Sequence, residues 1–154
     1  MNIDPATLAT TRRSSCADLA GELGLRVGSL TDVYHDVTDV AETERLELDP
    51  AAADWLARCW AARDEALRRL APDETPVLWP EHFDVGIRLD DINFGVSPGD
   101  TNLNEPYAYV GPPTRPAGAF WNQPFGAARP MRELTGVAAV VQFFATGRRL
   151  DQER

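Results

Sequence analysis

Apolar residues near the start of the chain recur with the spacing of an α-helix. The stripe occupies positions i, i+3, i+4 and i+7, which in this chain are Cys16, Leu19, Ala20 and Leu23. Such a stripe predicts an amphipathic helix that buries one face. Thr10 and Thr11 are its candidate N-caps. Gly24 is suited to end the helix in the left-handed conformation, with Leu25 packing back against the last turn.

A longer helical pattern begins at Asp49 and Pro50, an N-cap followed by the residue favoured at the first helical position. Pro72 predicts its end, since proline cannot continue a helix. The predicted buried face consists of Trp55, Leu56, Cys59, Trp60, Leu67 and Leu70. A third helix near the C-terminus is predicted to begin at Thr135 as its cap. Its inward residues are expected to be Val137, Val140, Val141 and Phe144.

From Val77 onward the apolar period changes from 3.6 to 2, which indicates β-strands. The alternating apolar positions are Phe83, Val85, Ile87 and Leu89, then Ile92, Phe94 and Val96. Asp90-Asp91 predicts a two-residue turn between the two runs. The pattern therefore predicts a β-hairpin over 82–97 with one apolar and one polar face. A type II turn at Ser97–Asp100 and a third strand over 106–110 are predicted to follow.

Together these elements predict an α+β fold. A small antiparallel sheet, made of the hairpin 82–97 and the strand 106–110, is expected to pack against two or three helices. The Pro- and Gly-rich stretch 111–130 carries Phe120, Trp121 and Phe125, which favours an ordered covering loop over a linker. A chain of 154 residues is long enough to bury a core of its own, so residues 1–154 are predicted to form a single domain.

The negative charge of the chain argues against two classes of binding partner. The formal net charge is −9, and the fifteen basic residues are all arginines, scattered along the chain. Nucleic acids and anionic membranes are not expected as partners, because both need clustered basic residues. The absence of lysine excludes Schiff-base chemistry. No apolar run approaches the ~20 residues that span a bilayer, and a cytoplasmic location is predicted. Cys16 and Cys59 are expected to be reduced and buried.

The polar face of the hairpin is the candidate site. The register that follows from a two-residue turn pairs Arg88 with Asn93, Gly86 with Gly95, and Asp84 with Ser97. Two glycines opposite each other leave a hollow bordered by polar groups. Three interpretations are open: the ring of Tyr107 or Tyr109 fills the hollow, a ligand occupies it, or the register differs from the one inferred.

His82 and Asp84 are the candidate catalytic residues, because side chains two positions apart on a strand lie on the same face. In an acid/base pair the carboxylate would orient the imidazole. The same spacing can bind a metal ion, and Asp100 and Glu105 on the following loop could complete either arrangement. A structural histidine bonded to a loop carbonyl is the third interpretation. The residues alone leave all three open.

Residues expected to contact a ligand are polar or aromatic and lie on or beside this face: Trp79, Arg88, Asn93, Ser97, Asp100, Glu105, Tyr107, Tyr109 and Trp121. Three functions are open. The first is binding or transformation of a small molecule at the polar face, with the loop around Trp121 as a cover. The second is a non-catalytic protein-interaction domain, for example a homodimer. The third is a metal-binding protein. No sequence feature identifies a cofactor.

Five sequence motifs occur in order between residues 78 and 148: LWPEHFDVGI, NFGVSPGD, EPYAYVGPP, FWNQPFGAARP and FFATGR. They resemble the sequences of a family of uncharacterised actinobacterial proteins, and the resemblance extends over about Leu48 to Arg149. Members of that family look longer at the N-terminus, so this chain resembles a shortened form. The resemblance implies no particular activity. It marks Trp79–Asp84, Ser97–Asp100 and Glu105–Tyr109 as signature segments, which the hairpin argument selects independently.

Overall fold

The computed structural model describes residues 14–28, 40–47, 49–80 and 82–153. The chain divides into two compact units, Met1–Ala53 and Asp54–Arg154, and each is described by itself. The candidate caps Thr10 and Thr11 lie outside the described residues. A single domain over residues 1–154 stays a prediction.

The first unit contains helix α1, Cys16–Glu22. Its N-cap is Ser15, whose hydroxyl accepts a hydrogen bond from the Asp18 N–H at 3.1 Å. The Asp18 carboxylate in turn accepts from the Ser15 N–H at 2.9 Å, which completes a capping box. The helix therefore begins where two orphan backbone donors find side-chain acceptors.

The end of α1 confirms the role of Gly24, which has φ +67°. The Gly24 N–H donates to the Gly21 carbonyl at 3.2 Å, and the Leu25 N–H donates to the Ala20 carbonyl at 2.8 Å. This pair of bonds is the Schellman motif. The predicted packing of Leu25 is wrong, because its exposed fraction is 63%. Cys16 was expected to be buried and is only partly so.

Helix α2, Pro50–Leu70, begins as predicted. The Asp49 carboxylate caps it by accepting the Ala51 N–H at 2.9 Å. The buried residues are Cys59, Arg63, Ala66 and Leu67. Burial of Arg63 was not predicted.

The second unit is built on a five-stranded antiparallel sheet with the order β1-β2-β3-β4-β5. Its strands are Val77–Trp79, Asp84–Leu89, Ile92–Ser97, Tyr107–Gly111 and Ala127–Pro130. The hairpin and the third strand of the sequence prediction are β2, β3 and β4, so the α+β class is confirmed. Strands β1 and β5, one at each edge, were missed. The hairpin begins at Asp84 and not at residue 82.

The predicted register of the hairpin is confirmed from the turn to the glycine pair, whereas the predicted pair of Asp84 with Ser97 is not among the observed partners, which end at Val85 with Val96. The observed partners are Leu89 with Ile92, Arg88 with Asn93, and Gly86 with Gly95. Asp90 and Asp91 both have positive φ, at 53° and 64°. Two such residues in succession give the type I′ turn, whose twist suits a two-residue hairpin.

The apolar side of the sheet forms one hydrophobic cluster with residues of α2 and of the C-terminal helix. Its fully buried strand residues include Ile92, Phe94, Val96 and Val110. Helix α3, Val137–Gln152, contributes Phe144, whose ring meets that of Phe94 edge-on at 5.8 Å between centroids. The predicted cap Thr135 is wrong: the N-cap is Gly136, and no side chain caps the helix. A 3-10 helix, Met131–Glu133, precedes it.

No helix within the described ranges combines the length and the apolar character that a bilayer-spanning segment requires.

Candidate functional site

An open groove of about 870 Å³ lies on the polar face of the sheet. Nine of the residues selected from the sequence line it: Trp79, His82, Asp84, Arg88, Asn93, Ser97, Asp100, Tyr107 and Tyr109. The rest of the wall consists of Gly99, Gly111 and a Pro-rich segment after β4, together with Arg115 and Phe125. The groove belongs wholly to the second unit.

The register of the sheet explains why these side chains share one face. Gly95 of β3 pairs with Gly86 on one side and with Tyr109 on the other. Residues two positions apart on each strand project to the same side. Ser97 pairs with Tyr107, two residues along each strand from Gly95 and Tyr109. The side chains of this pair therefore project into the groove as well.

Tyr109 fills the hollow that the two glycines leave. A Cβ added at Gly95 would lie 2.6 Å from the Tyr109 hydroxyl oxygen and 2.7 Å from Cζ. A Cβ at Gly86 would lie 3.0 Å from the same hydroxyl oxygen. Such distances are far shorter than carbon contacts allow. Of the interpretations open for the hollow, the tyrosine ring is therefore the one observed, and the groove lies beside that ring.

Asp84 is a buried carboxylate on the wall of this groove, with an exposed fraction of 8%. Its Oδ2 accepts a hydrogen bond from the Tyr109 hydroxyl. Its Oδ1 has no hydrogen-bond partner within the described part of the chain. A buried carboxylate oxygen without a donor costs free energy, so its retention calls for an explanation.

Arg63 of α2 is a buried cation that interacts electrostatically with Asp84 and Tyr109. Burial lowers the pKa of Arg63, and electrostatic interactions with Asp64, Tyr109 and Asp84 oppose that effect. Its Nε and Nη1 have no hydrogen-bond partner among the described residues, and it makes no ion pair with Asp84 there. Its signal in the sequence was its position four residues after Cys59 and four before Leu67, on the predicted buried face.

Asp100 organises the loop after β3. Its carboxylate accepts the backbone N–H groups of Asn102 at 2.7 Å and Leu103 at 3.0 Å, and the Tyr107 hydroxyl at 2.6 Å. Burial by itself raises the pKa of Asp100, but these hydrogen bonds outweigh it and lower the pKa. Asp100 is thereby held as a carboxylate at the mouth of the groove.

The turn at Ser97–Asp100 differs from the predicted type II geometry. Gly99 takes a positive φ, 120°, as expected of that position. The Asp100 N–H, however, donates to the Leu103 carbonyl at 2.7 Å and not back to residue 97. The Ser97 hydroxyl instead accepts the Gly99 N–H at 3.1 Å.

His82 does not share a strand face with Asp84, so that expectation is wrong. His82 lies in the turn before β2, and Phe83 between them has φ +52°, which breaks the alternation of a strand. The His82 side chain is exposed and makes no hydrogen bond to Asp84. Both residues still line the same groove, His82 at its rim and Asp84 on its wall.

Glu105 and Trp121 are not among the residues that line the groove. Glu105 forms an ion pair with Arg132 at 2.9 Å. Trp121 is buried in the hydrophobic cluster, with an exposed fraction of 2%, and so cannot serve as a cover. Its backbone carbonyl accepts hydrogen bonds from the Arg115 guanidinium, including one from Nε at 3.1 Å.

No group of three or more His, Cys, Asp or Glu side chains in the described ranges is arranged to hold a metal ion. The arrangement His82, Asp84, Asp100 and Glu105 that the spacing suggested is therefore not assembled.

The two groove tyrosines predict an alkaline transition. Burial, followed by the adjacent carboxylates, raises the pKa of Tyr107 and of Tyr109 well above the ordinary 10.0. The stability that the neutral phenols confer is complete below pH 10 and is lost as the pH rises through their folded-state pKa values. We expect tyrosinate absorbance to develop at a higher pH in the folded protein than in urea.

The variants Tyr107→Phe and Tyr109→Phe would assign that shift, since each should remove one late-titrating phenol. Coincident titration curves for folded and urea-unfolded protein would show that neither hydroxyl is held as described.

Comparison of the chain with protein-family models, with curated proteins and with solved structures found no match. The resemblance inferred from the sequence motifs stays a prediction.

Proposed function

We propose that this protein binds a small molecule in the groove on the polar face of its sheet. The observation that carries the proposal is the buried Asp84 carboxylate, which stands on the groove wall with one oxygen unpartnered within the described residues. The volume of about 870 Å³ falls in the range of ligand pockets. Aromatic and proline walls around a few polar groups are also typical of such pockets.

In this proposal the predicted catalytic pair has a binding role. Asp84 is already engaged by the Tyr109 hydroxyl, which fixes its orientation. His82 is exposed at the rim and is not oriented by Asp84. We therefore assign both to ligand contact, with Asp84 as the anchoring group.

The test is a fragment screen followed by NMR, with the groove blocked in a variant. Asn93 is exposed and lines the groove, so Asn93→Trp adds bulk there without disturbing the core. We expect fragments to shift the amide signals of residues 84, 97 and 109, and Asn93→Trp to raise their Kd at least about tenfold, or ~1.4 kcal/mol. Gln142→Trp, an exposed change on α3, is the matched control and should leave the Kd unchanged.

A protein-interaction function is favoured by a different observation. Strand β1 is an edge of the described sheet, and Val77, Leu78 and Trp79 on it are all exposed. An apolar edge strand is a site where another chain can add. Signals of residues 77–79 that shift with protein concentration, with no fragment bound in the groove, would overturn the small-molecule proposal in favour of this one.

A further inference from the structure

The charged residues of the groove are separated along the strands. Asp84 opens β2, and Arg88 lies four residues later on the same face, close to the hairpin turn. At about 3.3 Å per residue, their Cα atoms are ~13 Å apart. The partner of Arg88 is Asn93, another polar groove residue. One end of the groove is therefore acidic, and the other carries a guanidinium and an amide.

The acidic end offers acceptors and few donors. The Tyr109 hydroxyl proton goes to Asp84 and the Tyr107 hydroxyl proton goes to Asp100, so neither phenol has a proton left to donate to a ligand. Neither carboxylate has an ion-pair partner among the described residues. Arg63 offsets part of this charge from outside the groove lining, but two carboxylates against one guanidinium leave this end negative.

Two guanidinium groups in the groove are available to an anion. Arg88 uses Nη2 on Asp91 at 3.0 Å, in an exposed pair that a ligand carboxylate can replace at little cost. Arg115 donates from Nε and Nη2 to the carbonyl of Trp121, which is an uncharged acceptor. Its positive charge has no carboxylate partner in the described ranges.

The middle of the groove is aromatic. Between Asp84 and Arg88 the strand carries only Gly86 on this face, and the Tyr109 ring lies over it. The Phe125 ring stacks on that of Tyr107 at 6.3 Å between centroids. A ligand that spans the two ends would therefore lay its middle against aromatic rings.

We propose that the groove selects an elongated zwitterion, and this rests on the proposed small-molecule function. Its cationic group lies toward Asp84 and Asp100, its anionic group toward Arg88, and an apolar body crosses Tyr109. The two charges of such a ligand are about 10 Å apart, which is the span of a tripeptide with free termini at ~3.3–3.6 Å per residue.

Four forms of the tripeptide Gly-Phe-Gly test this: free, N-acetylated, C-amidated and blocked at both ends. We expect the free peptide to bind tightest, and each block to raise the Kd about fivefold, as for a pair worth ~1 kcal/mol. Asp84→Asn should abolish most of the effect of acetylation, and Arg88→Gln should reduce the effect of amidation. Asp73→Asn, an exposed charge change outside the groove, is the matched control and should alter neither effect.

The outcomes separate this inference from the function on which it rests. Equal binding of the free and doubly blocked peptides would overturn the zwitterion and leave the small-molecule function standing. An effect of only one terminus would overturn it in favour of a singly charged ligand. Binding of fragments but of no peptide form also overturns it, and binding of neither overturns both. Should Asp84→Asn not fold, Asp100→Asn supplies the same test at the acidic end.

Discussion

Gly95→Val is expected to lower the free energy of unfolding by about 3 kcal/mol, because the side chain has no space. Its Cβ would lie 2.6 Å from the Tyr109 hydroxyl oxygen and 2.7 Å from the Val85 carbonyl oxygen. The carbonyl belongs to the paired strand, so it cannot rotate away. Valine is favoured over glycine in strands by at most ~1 kcal/mol, and the steric cost therefore dominates.

The measurement is urea unfolding followed by far-ultraviolet circular dichroism. Gly111→Val is the matched control, since Gly111 is also a strand glycine of this sheet, and its added Cβ would meet nothing closer than 3.7 Å. We expect the control to change stability by less than about 1 kcal/mol.

Combining Gly95→Val with Tyr109→Ala should cost less than the sum of the two single changes, because the ring that blocks the valine is then gone. Strict additivity would mean that Tyr109 does not lie over the glycine pair.

The hairpin could be predicted because its signals are local. A two-residue turn fixes the register of the strands that flank it, and Asp90 and Asp91 tolerate positive φ better than most residues. The pairing of Gly86 with Gly95 followed from that turn alone. Because every second residue of a strand faces the same side of the sheet, the residues of the polar face then followed from the register.

The edge strands could not be predicted, because their signals are weak or absent. Strand β5 has the sequence AARP, which has low strand propensity and ends in proline. It pairs because Tyr109 and Val110 of β4 offer it an unoccupied edge. Strand β1 has only three residues, too few for alternation to be detected.

At the site, the errors come from single backbone angles and from long-range packing. The sequence predicts His82 on the strand because the alternation of polar and apolar residues starts there, but the positive φ of Phe83 interrupts the strand. Trp121 was placed over the groove because an aromatic residue in a loop can be a cover or a core residue with the same local sequence. Only the packing against α3, where Phe120 meets Phe143, decides between them.

Arg63 was passed over because arginine is usually exposed. Its spacing from Cys59 and Leu67 placed it on the buried face, and the structure buries it to an exposed fraction of 6%. The position of a residue on a helix face was in this case a better guide than its residue type.

Phe144→Ala is expected to lower the free energy of unfolding by about 4 kcal/mol, within the ~3–5 kcal/mol typical of a deleted core phenylalanine. The Phe144 side chain has an exposed fraction of 0%, and its ring touches those of Phe94 and Phe143, with centroids at 5.8 and 6.0 Å. Truncation removes buried apolar surface and leaves a cavity where α3 meets the sheet. That cavity cannot collapse easily, because the Gly147 backbone already rests against Val110, where an added Cβ would lie at 2.8 Å.

Phe83→Ala is the control for this change within the same unit, since Phe83 is about half exposed and its ring meets mainly Trp60, at 4.9 Å. We expect it to cost about 1 kcal/mol, the value of one aromatic pair. The shift of the urea midpoint from the wild-type value should therefore be several times larger for Phe144→Ala than for Phe83→Ala. Equal displacements would mean that α3 is not docked through Phe144. The groove would then lose its support as well, because β4 carries Val110 toward α3 on one face and Tyr109 toward the groove on the other.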